Sequence, residues 1–232
     1  MILSIHQPGY FPWLGLLHKI ANSDLYMVMD EVQLTDKAYQ HRNIFLSADG
    51  KTKFLTISFN KKGYFHRPFK ELEIIDHSWR TNHLNFIKNG YHKHPFFDEV
   101  FPLLADFYTC DYHLLIDAVM ASMRISLELF NIKTQLVFQS QMDYDKSLKR
   151  GDLVVDLVRA SGADCYLSGL GAQEYLEESA FCDGISLKYN EFTHPVYNQK
   201  NSFSFVSGLS CLDVLFNLGI VSSQKLFSEV CQ

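Results

Sequence analysis

Residues 1–30 read MILSIHQPGYFPWLGLLHKIANSDLYMVMD, and their pattern decides the fold. Residues 2–5 form a short apolar run that stops at His6. After a turn rich in proline, glycine and aromatics, apolar residues recur at Trp13, Leu14, Leu16, Leu17, Ile20 and Ala21, the spacing of one helix face. Asn22 and Ser23 suit a helix end, and residues 25–29 are apolar throughout. Strand, helix and strand within thirty residues predict a right-handed βαβ unit with parallel strands. Unbroken apolar runs fit strands covered on both faces.

The rest of the chain extends that unit. DKAYQHRNIFLS and KFLTISF read as strands joined by a turn at Ala48-Asp49-Gly50, and FKELEIID as a further strand. From Ser78, a candidate cap, the pattern turns helical, with breaks near Gly90, Pro95 and Thr109. TQLVFQS returns to strand, and SLKRGDLVVDLVRASG is an amphipathic helix closed by Gly162. DCYLSG and SLKYNEF read as strands around a helical GAQEYLEESAF, and LSCLDVLFNLG as the last helix. The expectation is a single α/β domain over 1–232, with a mainly parallel sheet flanked by helices and a helical insertion at about 78–131.

Bulk properties narrow the function. A chain of 232 residues, 47% hydrophobic and 14% aromatic, can fill one sizeable core. A formal charge of −5 argues against general nucleic-acid binding. Cys110, Cys165, Cys182, Cys211 and Cys231 are scattered, as reduced thiols would be, and show no zinc spacing. No basic leader and no run of about 18 apolar residues is present, so we expect a cytoplasmic protein without stable membrane association.

Four stretches carry candidate chemistry. His6-Gln7-Pro8-Gly9-Tyr10 lies at a strand's carboxyl end before a helix, where open α/β sheets bind ligands and free N–H groups suit anions; it also reads as a plain turn. Asp30-Glu31-x-Gln33 ends the second strand on the same rim, as a carboxylate pair or a solvated loop start. In KAYQHRN, Arg42 and Asn43 offer bidentate and amide contacts to a phosphate, unless the segment is an edge strand. Ser168-Gly169-Leu170-Gly171, with Gln173 and Glu174 after it, reads as a phosphate cradle or a tight βα loop. No serine sits in a G-x-S-x-G context.

Taken together, HQPGYFPWLGLLHKIANSD, YMVMDEVQ followed by KAYQHRN, GADCYLSGLGAQEYLEESAF and LSCLDVLFNLG resemble the WbqC-like protein family along nearly the whole chain. The resemblance implies a bacterial cytoplasmic protein of surface-polysaccharide (O-antigen, lipopolysaccharide) biosynthesis. It implies transfer of an acyl or aminoacyl group, such as glycine, to the amine of a nucleotide-linked amino sugar. On that reading His6 or Asp30 takes the amine proton, while Gln7, Gly9, Tyr10, Arg42, Asn43 and the second glycine turn hold the substrate. Two alternatives stay open: an adenylate-forming ligase or nucleotidyltransferase using ATP and Mg²⁺, and a non-catalytic sugar-nucleotide binder.

Overall fold

The computed structural model describes residues 1–35, 39–173, 176, 181 and 184–231. Strands β1 (Ile2–His6) and β2 (Leu25–Val28) enclose helix α1 (Leu14–Ala21) and pair in parallel, Leu3 opposite Leu25 and His6 opposite Val28. The predicted βαβ unit is therefore present. Three later strands join it in parallel: β5 (Gln135–Phe138) beside β2, β6 (Cys165–Gly169) beside β1, and β7 (Ser186–Asn190) beside β6. The order β5-β2-β1-β6-β7 makes a five-stranded parallel sheet drawn from both ends of the chain.

Alternation assigns the two faces. Leu3, Ile5, Leu25 and Met27 pack with Leu153, Val154, Leu157 and Val158 of helix α6 (Arg150–Ser161) on one side. Tyr26 and Val28 join α1 in the larger core on the other. Full burial of each such aliphatic side chain contributes about 1.5–3 kcal/mol. Gly162, at φ +70, ends α6 as the sequence indicates.

That larger core also holds α2 (Ser78–Tyr91), α3 (Phe97–Val100), α4 (Pro102–Thr109) and α5 (Leu115–Leu129), which are the helical insertion. Ser78 does not cap α2. It is the first helical residue, and its N–H donates to Asp76 Oδ1 at 2.9 Å. β3 (Arg42–Leu46) and β4 (Thr52–Thr56) form an antiparallel hairpin outside the main sheet.

FKELEIID is not a strand. Phe69–Glu71 is a 3-10 turn, and beyond it the segment makes one isolated bridge, Glu73 to Leu114. The alternation is real, since Leu72 and Ile74 are buried while Glu73 and Ile75 are exposed. It serves to anchor a loop rather than to extend a ladder. The last helix, α7 (Leu212–Val230), does not stop at Gly219; it breaks there at φ +77 and resumes. A Cβ on Gly219 would lie 2.6 Å from the Phe96 ring, so the break lets α7 pass close to the residues before α3. GAQEYLEESAF falls largely outside the described residues; its described start is a 3-10 turn, Leu170–Ala172. Among the described residues, no helix is long and apolar enough to cross a membrane.

Candidate functional site

The chain leaves β1 toward β2 on one side, whereas β6 pairs on the other side and feeds β7 beyond it. The carboxyl ends of β1 and β6 therefore flank a topological switch point, the usual ligand crevice of parallel sheets. The loop after β1 is tied down at this point from three directions. Tyr10 N–H donates to Gln40 O at 3.0 Å, and Phe11 N–H to Ser122 Oγ at 3.1 Å. Asn43 Nδ2 donates to Tyr10 O at 3.2 Å and Phe11 O at 2.6 Å. These bonds hold Phe11 at φ +37, a left-handed conformation that a bulky residue adopts only under restraint.

Two cavities open beside this loop. One, of about 510 Å³, lies between the loop, the start of α1, residues 39–43 and Gly208. The other, of about 570 Å³, lies on the α6 side, walled by Ile5, Met29, Tyr166 and Arg150 among others. His6 and Gln7 belong to both walls.

The His6 ring is open to the cavities but closely surrounded by protein atoms, and the Lys19 amine is near. Crowding first, and Lys19 second, lower its pKa to about 4 against the opposing pull of the Gln7 carbonyl. His6 is thus a neutral imidazole near pH 7. Its Nδ1 sits 2.9 Å from Gln7 O, which can only accept, so Nδ1 carries the proton and Nε2 keeps a lone pair. Lys19 itself is buried, donates from Nζ to Ile5 O at 2.9 Å, and is lowered to about 7 by desolvation.

Of the candidates drawn from the sequence, His6, Gln7, Gly9 and Asn43 line the first cavity. Tyr10 does not: it is fully buried in the aromatic core, its hydroxyl 3.0 Å from His83 Nδ1 and 2.6 Å from the Tyr108 hydroxyl. Arg42 is one ring removed from the cavity, its guanidinium 4.5 Å from the centre of Phe54, which packs in turn on Tyr39. Asp30 sits on the same rim but in neither cavity wall. Its carboxylate accepts Ser140 N–H at 2.9 Å and Ser140 Oγ–H at 2.5 Å, fixing the turn after β5. Glu31 beside it is bound by Lys70 at 2.6 Å and Tyr144 at 2.7 Å, and Lys70 chiefly holds it down at about 2.

The second glycine turn does reach the rim beside β1, but it forms no positive-φ cradle. Gly169 is extended at φ −80, and neither Gly169 nor Gly171 has positive φ. Ser168 is buried with its hydroxyl toward Gly169 O, Gln173 is exposed, and neither lines the two cavities. Glu174 and Lys37 lie outside the described residues. Among the described residues no group of His, Cys, Asp and Glu is arranged to hold a metal ion.

Sequence reasoning passed over Trp13, Arg150 and Lys19 as site residues, and took Tyr39 and Gln40 only as part of the polar KAYQHRN run. Gln40 stood in the polar KAYQHRN run, whose amide density was the available signal. Lys19 falls off the apolar stripe of α1. It is buried because α1 is enclosed on nearly every side, with residues 14–20 all buried.

No solved structure matches the chain. It is 26% identical, over 227 residues covering 94% of each chain, to uncharacterized protein Rv1507c of Mycobacterium tuberculosis (strain ATCC 25618 / H37Rv). The model of the WbqC-like protein family matches residues 7–225, and the chain belongs to that family.

Proposed function

We propose that the protein transfers an acyl or aminoacyl group to the amine of a nucleotide-linked amino sugar, in bacterial surface-polysaccharide synthesis. One observation carries the reading: a single neutral histidine stands between two ligand-sized cavities at the switch point of the sheet. Group transfer needs two ligands to meet at one proton acceptor. The sugar nucleotide occupies the about 510 Å³ cavity, and the acyl donor approaches from the about 570 Å³ cavity.

In the step itself the sugar amine attacks the acyl carbon. A C–N bond forms, the bond to the donor's leaving group breaks, and His6 Nε2 accepts the amine proton. An imidazole lowered to about 4 is a weak base alone, but an anionic diphosphate bound beside it raises its basicity toward the working pH. Arg150, on the wall of the second cavity, supplies the cation that the first lacks. Asp30 is engaged by Ser140 and takes no part.

The test is a mass-spectrometric screen of dTDP- and UDP-linked amino sugars against amino acids and common acyl donors, with and without ATP and Mg²⁺. A product heavier than the sugar nucleotide by one acyl group supports the assignment. No product from any pairing, with the sugar nucleotides still binding, overturns transfer in favour of a binding role.

A further inference from the structure

The about 510 Å³ cavity contains an anomaly in its wall. Gln40 is only 3% exposed, and its Nε2 and Oε1 are both shielded from solvent and without a hydrogen-bond partner, although the residue lines the cavity. A buried amide without partners is costly in free energy, and native structures seldom retain one without a reason. The neighbouring Asn43 shows the contrast, since its amide is committed to Tyr10 O, Phe11 O and Ile44 N–H.

The rest of the wall narrows what the amide awaits. Among the described residues it carries no Lys, Arg, Asp or Glu, so it suits an uncharged portion of a ligand. Trp13 and Tyr39, 41% and 49% exposed, both present aromatic surface there. A flat heteroaromatic ring stacks on such surface, and a carboxamide pairs with an edge that offers a donor and an acceptor side by side.

We infer that this cavity is a nucleobase subsite, in which the Gln40 carboxamide, held by no partner, turns out of its shielded position to read the hydrogen-bonding edge of the base and Trp13 and Tyr39 cover its faces. The inference rests on the proposed use of a nucleotide-linked substrate, and specifies which part of that substrate enters here. The phosphates then lie toward His6 and the second cavity, where Arg150 stands.

Trp13 and Trp79 are the chain's two tryptophans, and Trp79 is buried at 3% exposure, so Trp13 is the fluorophore a base can reach. UMP, dTMP, AMP and ribose 5-phosphate are titrated against the wild-type chain and Gln40→Leu. At least one nucleotide should quench saturably, ribose 5-phosphate should not, and Gln40→Leu should weaken nucleotide binding at least tenfold. Because the Gln40 amide has no partners to lose, the leucine variant should fold with an equal or higher Tm. Equal quenching by ribose 5-phosphate, undiminished binding to Gln40→Leu, or no quenching by any nucleotide overturns the subsite. Binding does not require turnover. A failed product screen with base binding intact rejects the transfer reaction alone, and an acylated product with no Gln40 dependence rejects the subsite alone.

Discussion

The indole of Trp13 covers Gly15 so closely that a Cβ on Gly15 would lie 2.2 Å from the ring. The glycine is what allows the ring to fold back onto its own helix and form a cavity wall. Gly15→Ala must push the indole outward. Since the ring is already 41% exposed, the core is little strained, and alanine's helix preference offsets about 1 kcal/mol of any cost. The expected result is near-wild-type stability with altered Trp13 fluorescence and weaker nucleotide binding. Unchanged emission and affinity would show that the ring does not depend on Gly15.

Asn43 is the fastener of the His6 loop. Its side chain satisfies the carbonyls of Tyr10 and Phe11 and the N–H of Ile44, all around the left-handed Phe11. Asn43→Ala leaves those groups without partners in a buried place, at about 2–4 kcal/mol. Asn43→Asp is expected to be worse, because a carboxylate cannot donate to two carbonyls. Urea unfolding of both variants checks this, and a loss below about 1 kcal/mol for the alanine would contradict the fastening role.

The parallel sheet was legible because parallel strands leave apolar runs and the βαβ unit lies within thirty residues, whereas the switch point follows from a strand order that only the structure shows. The Gly162 cap was legible for a local reason too. The FKELEIID error has the opposite origin: Leu72 and Ile74 alternate with exposed neighbours as a strand would, but only Leu114 is there to pair. At the site, the position of His6 at a strand end was legible. The commitments of Asp30 to Ser140 and of Tyr10 to His83 are not, since those partners are 110 and 73 residues away in sequence. Gln40 and Asn43 both carry a carboxamide, and which partners each amide finds is not encoded by residue type.

Acid should destabilise the fold. His83 and His94 are buried and lowered to about 4, mainly by desolvation. Between their ordinary value near 6.5 and about 4, the unfolded chain binds more protons than the folded one, so stability falls as pH falls through that window. Asp213 works against this. Burial raises it to about 6, so it favours the fold as pH drops from about 6 toward 3.8. Two buried histidines against one carboxyl give a net loss. Denaturation from pH 7 to pH 4 should show it, and His94→Leu should flatten the slope. Constant or rising stability would contradict the balance.

His6 and Asp30 were equal candidates for the proton acceptor, and their surroundings separate them. His6 has a fixed tautomer, a spare Nε2 and two cavities at hand. Asp30 has both oxygens occupied by Ser140. His6→Ala should therefore lower kcat by about 10²–10⁴-fold, the usual weight of a positioned base, with little change in Tm. Asp30→Asn should do the reverse. Its amide accepts only part of what Ser140 donates, at about 1–2 kcal/mol of stability, while kcat holds within a few-fold. The comparison uses the acyl acceptor identified by the product screen, with kcat, KM and Tm measured on both variants. A collapse of kcat in Asp30→Asn at unchanged Tm would return the carboxylate to the chemistry, and an active His6→Ala would remove the histidine from it.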